Sequence, residues 1–275
     1  MSQQLSVSLN TGASMPQLGF GVFKVPNHET AKAVATALHA GYRLIDTAAM
    51  YGNEEGVGQA IADSGIPRRD LFITTKLNND AHGRATALRA FEDSRRRLGL
   101  DYVDLYLIHW PLPKQDKYVE TWQALETLYR DGATRAIGVS NFQVAHLQRL
   151  LDETDTVPAV NQIELHPYLV QDELRRFHAE HGIVTEAWSP IARGGTLLAD
   201  PIVVALAAKY ARTPAQIVIR WHLQLGNVTI PKSVTPARIQ ENLDVFDFEL
   251  ADDDVASITG LDRNHRTGPN PDAFG

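Results

Sequence analysis

Two periodicities alternate along this chain. Short apolar runs with a strand-like period of two are each followed by a longer stretch with apolar residues spaced three and four apart. The first pattern is that of a buried strand, the second that of an amphipathic helix. Strands are expected to begin near Gly19, Tyr42, Leu71, Val103, Thr134, Ala159, Ile183 and Val228, eight in all. A short hairpin from residues 5–9 and 15–18 precedes them. Helices fit residues 29–40, 54–63, 85–98, 118–131, 144–151, 171–181, 201–211, 214–224 and 252–261.

The helix ends are marked by residue chemistry. Gly41, Gly99 and Gly132 follow three helices where a left-handed residue closes the last turn. Thr213-Pro214 reads as an N-cap with proline in the first turn. Eight alternating units without a linker-like stretch predict a closed (β/α)₈ TIM barrel, one domain over residues 1–275. A doubly wound open sheet would carry Gly-x-Gly-x-x-Gly after its first strand. The chain has none; Gly52, Gly56 and Gly58 have the wrong spacing and no strand directly before them. From Arg263 the sequence is Pro- and Gly-rich and aperiodic, which predicts a C-terminal loop over the active-site rim.

Composition narrows the class. Hydrophobic residues make up 44% and the formal net charge is −7, an ordinary globular balance. The longest basic run is Arg95-Arg96-Arg97, a solvated helix face, so nucleic acid is not an expected partner. There is no cysteine, which excludes disulfides and thiol nucleophiles. No apolar run reaches the roughly 20 residues that span a membrane, and residues 1–10 carry no signal-peptide core. A cytoplasmic protein is the expectation.

Polar residues at the ends of the strand patterns carry the candidate chemistry. Asp46 follows Tyr42-Arg43-Leu44-Ile45, Lys76 closes the next run, His109 the one after, and Tyr51 sits in the loop after Asp46. In a parallel barrel these positions share the rim where barrel enzymes place their chemistry. Lys76 can be read as half of a structural ion pair with Asp46, as a Schiff-base lysine, or as a cation that lowers the pKa of Tyr51. The last reading employs all four residues, with Tyr51 protonating a developing alkoxide and His109 orienting the carbonyl oxygen. No nucleophile is evident among them, so a hydride from a nicotinamide would complete the reaction. Ser140, Asn141 and Gln162, at the ends of strands five and six, can read a carboxamide. Trp188, ending strand seven, can stack on a flat ring. Lys232, Ser233 and Arg238 can hold a phosphate, aided by a helix start near Pro236. Ten histidines are present, but no metal-ligand spacing, so no metal is expected.

The chain resembles the aldo-keto reductases, and among them the bacterial 2,5-diketo-gluconate reductase-like branch. The resemblance rests on Gly41 to Ala48 with Tyr51-Gly52-Asn53-Glu54, Leu105 to Pro111, Gly138 to Phe142, Asn161 to Pro167, and Ile230 to Ser233. It implies NADPH bound in extended form to the barrel and reduction of aldehydes or ketones. It also implies a catalytic tetrad of Asp46, Tyr51, Lys76 and His109, with Tyr51 the general acid. Ser140, Asn141, Gln162 and Trp188 would meet the nicotinamide, and Ser189, Ile191 and Arg193 would cover the pyrophosphate. Lys232, Ser233 and Arg238 would hold the 2′-phosphate, with Glu241 and Asn242 near the adenine. Phe23 and Trp110 would wall the substrate pocket. Asn78 stands where many relatives carry tryptophan, which implies a wider or more polar pocket. Small dicarbonyls and keto-sugars are the implied substrates, and a monomer is the implied state. A Schiff-base lyase and a non-catalytic NADPH-binding subunit are the rival readings.

Overall fold

The computed structural model describes residues 5–275. Strands β1 (Ser6–Ser8) and β2 (Ser14–Pro16) form an antiparallel hairpin. Eight parallel strands follow: β3 (Gly19–Gly21), β4 (Leu44–Asp46), β5 (Phe72–Leu77), β6 (Val103–Ile108), β7 (Thr134–Ser140), β8 (Val160–Glu164), β9 (Val184–Trp188) and β10 (Val228–Thr229). They pair in chain order. A parallel bridge between Leu18 and Thr229 and a hydrogen bond from Gly21 N–H to the Pro231 carbonyl bring the last strand back to the first. This is the expected barrel.

Strand parity sorts the side chains. Leu44, Phe72, Leu105, Leu107, Val160 and Val228 pack together inside the barrel with Leu9 and Met15 of the hairpin, which plugs the N-terminal end. Their neighbours Ile45, Ile73, Tyr106 and Ile108 pack outward, in the layer that also holds Phe91, Trp122 and Trp221 of the surrounding helices. One step of two residues beyond Leu44, Phe72, Val160 and Val184 brings the inward positions to Asp46, Thr74, Gln162 and Glu186. Another step from Thr74 reaches Lys76. The interior is therefore apolar at the hairpin end and polar at the other.

Some elements differ from expectation. Strand β8 continues past Gln162 because its pairing with β9 persists through Ile163–Ala187 and Glu164–Trp188. The helix expected to start near Pro236 does so and runs to Leu243, whereas the single turn at Gly195–Leu198 was not expected. The glycines after Asn53 are packing positions. A Cβ on Gly58 would lie 2.3 Å from the Leu98 carbonyl oxygen, and one on Gly56 2.8 Å from Thr30 Cβ.

Candidate active site

A cleft of about 900 Å³ opens at the C-terminal end of the barrel. Asp46 reaches it from the last position of β4, where it is 1% exposed. Lys76, fully buried on β5, places Nζ 2.6 Å from Asp46 Oδ1 and donates to the Thr47 carbonyl at 2.9 Å. The Tyr51 hydroxyl lies 3.4 Å from the same Nζ. Tyr51 sits on a 3₁₀ turn, Ala49–Tyr51. Asn53 fixes the loop that follows: its side chain accepts from Thr47 Oγ1 at 2.8 Å and donates to the Val22 and Val25 carbonyls at 3.0 Å each. Glu54 accepts from Thr75 at 2.6 Å and from Arg97 at 2.7 Å, tying the next helix to β5. His109 follows β6, with its ring centroid 5.6 Å from that of Tyr51. The four residues are thus gathered at one end of the cleft.

Burial dominates their electrostatics. It opposes the Lys76 ammonium, but the Asp46 charge, then Tyr51, more than offset it, so the Lys76 pKa lies above its ordinary value. Lys76 is a fixed cation. Burial also raises the Tyr51 phenol, and the opposing pull of Lys76 does not bring it below the ordinary tyrosine value. The expected lowering of the Tyr51 pKa is therefore corrected: desolvation outweighs a cation that is already shared with Asp46. Burial, then the Lys76 charge, hold His109 well below its usual range, so its imidazole is neutral. Its Nδ1 is buried without a hydrogen-bond partner among the described residues.

Two further inward residues, Gln162 and Glu186, extend the cluster. The Gln162 amide donates to Asp46 Oδ2 at 2.7 Å and to Glu186 Oε2 at 2.9 Å. Burial, then repulsion by Asp46, push the Glu186 carboxyl up to about 8. Sequence reasoning missed Glu186. Its signal is parity: it shares a strand face with Trp188, two residues on. Asn141, in the left-handed region at φ 64°, donates to the His109 carbonyl at 2.9 Å and to Ser140 Oγ at 3.1 Å. Its Oδ1 accepts from Trp188 Nε1 at 2.8 Å. The Asn141 amide therefore braces the indole as well as lining the cleft.

The other sequence-predicted residues line the same cleft: Ser140, Gln162, Trp188, Ser189, Ile191, Arg193, Lys232, Ser233, Arg238, Glu241 and Asn242, with Phe23 and Trp110. Lys232 and Arg238 are exposed and have no carboxylate within ion-pair distance among the described residues. An unpaired cation pair beside Ser233 at the start of a helix fits a phosphate. Trp188 offers a braced aromatic surface toward the other end. This donor set fits an extended nicotinamide nucleotide. Asn78 is not among the lining residues; its Oδ1 instead accepts from Asn79 N–H at 2.9 Å. The implied gain in pocket polarity from Asn78 is therefore absent, because the side chain caps its own turn. Gly268, Pro269 and Phe274 of the tail line the cleft, as expected of a loop over the rim, while Met50 and Lys24 also line it and carried no sequence signal of their own.

The chain is similar to known proteins over nearly its whole length. The chain is 56% identical over 268 residues to an aldo-keto reductase of Mycolicibacterium smegmatis, covering 98% of this chain and 97% of that one. It is 53% identical over 276 residues to the methylglyoxal reductase DkgA of Escherichia coli K12, covering all of both chains. Its fold superposes with a TM-score of 0.95 on the crystal structure of a Gox0644 mutant in complex with NADPH, at 49% identity and 99% coverage of each chain. Residues 17–263 match the Aldo/keto reductase family, and the chain belongs to that family.

Proposed function

We propose that this protein reduces aldehydes and ketones with NADPH, and that Tyr51 is the proton donor. The observation that carries the reading is the cluster at the cleft end: Tyr51 hydroxyl 3.4 Å from Lys76 Nζ, Lys76 ion-paired to Asp46, and neutral His109 against the Tyr51 ring. When bound, NADPH supplies the hydride that goes to the carbonyl carbon. Trp188, Ser140, Asn141 and Gln162 would hold its nicotinamide end. Ser189, Ile191 and Arg193 would hold the middle, Lys232, Ser233 and Arg238 the 2′-phosphate, and Glu241 and Asn242 the adenine.

Tyr51 gives its hydroxyl proton to the carbonyl oxygen as negative charge builds there. Lys76 stabilises the tyrosinate left behind, at close range and away from water. Asp46 keeps that ammonium in place. A neutral imidazole at His109 can donate one N–H to the carbonyl oxygen without competing for the transferred proton. Phe23, Trp110 and Phe274 make the remaining wall apolar, which suits small dicarbonyls; the relatives named methylglyoxal reductases support this substrate class. A Schiff-base role for Lys76 is disfavoured, because the amine is buried, protonated and ion-paired.

The test is nicotinamide oxidation with methylglyoxal, comparing the parent with Tyr51→Phe. The variant is expected to lose about 10²–10⁴-fold in kcat, while NADPH binding, read by quenching of tryptophan fluorescence, stays within about threefold. Equal turnover in both proteins would remove Tyr51 from the mechanism. Binding without turnover in the parent would favour the NADPH-binding subunit.

A further inference from the structure

The C-terminal tail is fastened at several points along its length. Near its start, Arg263 lies over the Tyr168 ring at 3.5 Å and His265 N–H donates to the Tyr168 carbonyl at 2.9 Å. At its end, the Phe274 ring packs on Trp110 with centroids 4.4 Å apart. Between them, Glu164 takes hold of the backbone. Glu164 is the last residue of β8, faces inward and is 1% exposed. Its Oε1 accepts from Thr267 N–H and from Thr267 Oγ1, both at 2.6 Å, and its Oε2 accepts from Gly268 N–H at 3.0 Å. His166, fully buried, braces Oε1 from behind at 3.1 Å.

This grip lies beside the cleft. Gly268 and Pro269 are part of its wall. A Cβ on Gly268 would sit 2.5 Å from Trp188 Cη2 and 3.2 Å from Glu164 Oε2. The tail backbone is therefore clamped between one buried carboxylate and the edge of the indole, at a spacing that only glycine allows. Burial by itself would raise the Glu164 carboxyl, but hydrogen bonds from His166, Thr267 and Gly268 outweigh it and bring it down to about 2. The grip is thus charge-assisted throughout the neutral range, which makes it stronger than a neutral pair. The other fastenings include the Arg263 cation on the Tyr168 ring with the His265 backbone bond beside it, the Arg266 guanidinium on Gln171, the Lys114 ammonium on the Ala273 carbonyl at 3.5 Å, and the Phe274 ring on Trp110.

We propose that Glu164 is a positioning residue that latches the tail against Trp188 and so completes the substrate end of the cleft. It does not touch the reacting atoms; it acts through Thr267 and Gly268. The kinetic part of the inference rests on the reductase reading, whereas the latch itself is read without turnover.

Two measurements on the full chain test it. In the first, trypsin is added without substrate, and loss of residues 267–275 after cleavage at Arg266 is followed by intact mass. Arg266 is half-buried and bonded to Gln171 at 3.2 Å, so the parent is expected to resist. Glu164→Gln is expected to be cut at least about tenfold faster, because the opened tail is more populated. In the second, Glu164→Gln is expected to raise KM for methylglyoxal about tenfold with kcat within about twofold, a loss of ground-state binding. A chain ending at Arg266 should show the same rise, and Glu164→Gln in that shortened chain should add nothing further. Thr267→Val, which leaves the buried charge untouched, should show a smaller change of the same kind and serves if Glu164→Gln does not fold. Unchanged trypsin resistance, or an equal KM effect of Glu164→Gln in the shortened chain, would overturn the latch. Faster cleavage in a protein that turns nothing over would leave the latch standing and sink the reductase reading instead.

Discussion

Single residues in this barrel do what their burial allows. Glu186 carries a proton in the folded state that it would release when unfolded. Its folded pKa of about 8 lies above the ordinary glutamate value near 4.3. Between these values the folded protein binds more protons than the unfolded chain, so this group makes stability fall as pH rises, until the effect levels off above the folded pKa. Glu186→Gln removes that slope. Its Tm relative to the parent is expected to climb steadily from pH 5 to pH 8; a constant offset across that range would show that Glu186 is ionised in the fold. Lys76 makes the opposite point. Removing the ammonium while leaving Asp46 strands a charge in the barrel, and Lys76→Met is expected to lower stability by about 3–5 kcal/mol in urea unfolding. Far less than that would mean Asp46 simply takes up a proton. At the far end of the cleft, Arg238→Ala should weaken NADPH more than NADH, narrowing the preference by about tenfold for one lost charge-assisted contact. An unchanged ratio of kcat/KM values would take Arg238 out of the phosphate site.

Elements are set in place by short-range rules that were legible in the chain. The Thr213-Pro214 start was one, and Thr213 indeed caps helix Pro214–Gln224, with reciprocal bonds to Gln216 at 3.3 and 2.9 Å. Thr213 also donates to Glu241 at 2.9 Å, which links the cap to the end of the cleft expected to take the adenine. Thr213→Ala is expected to cost about 1–2 kcal/mol and to weaken NADPH as well; a stability loss with no change in binding would separate cap from site. Glycine meanings were not legible in the same way. Gly56 and Gly58 resemble fragments of a phosphate loop, yet they let helix Glu54–Asp63 lie against its neighbours, and only the partner backbone shows it. Gly268 is the same case: nothing in an aperiodic tail announces contact with Trp188.

The molecule as a whole divides its labour between the two ends of one barrel. The hairpin end is sealed by apolar side chains and the other end holds the charged cluster, as expected for barrels in which one face carries stability and the other chemistry. Met15 is fully buried in the plug. Met15→Ala is expected to cost about 2–5 kcal/mol by leaving a cavity while kcat at a temperature below the transition is unchanged. A fall in kcat with the fold intact would mean that the two ends are mechanically coupled.

What the sequence by itself determined follows from local periodicity and strand parity. The count of eight units, the caps of several helices, and the placement of Asp46, Lys76 and His109 at strand ends depend on residues close together in the chain. Parity then sends alternate side chains inward without reference to any other strand. The tertiary structure decided what depends on burial and on distant partners. The Tyr51 phenol rises rather than falls because the strands around it exclude water. Asn141 braces Trp188 across 47 residues, and Gln162 reaches Asp46 across 116. Glu164 grips a tail more than a hundred residues further on. No pattern along the chain encodes such pairings, because they exist only where barrel closure brings separate strand ends, and the tail laid over them, within hydrogen-bond reach.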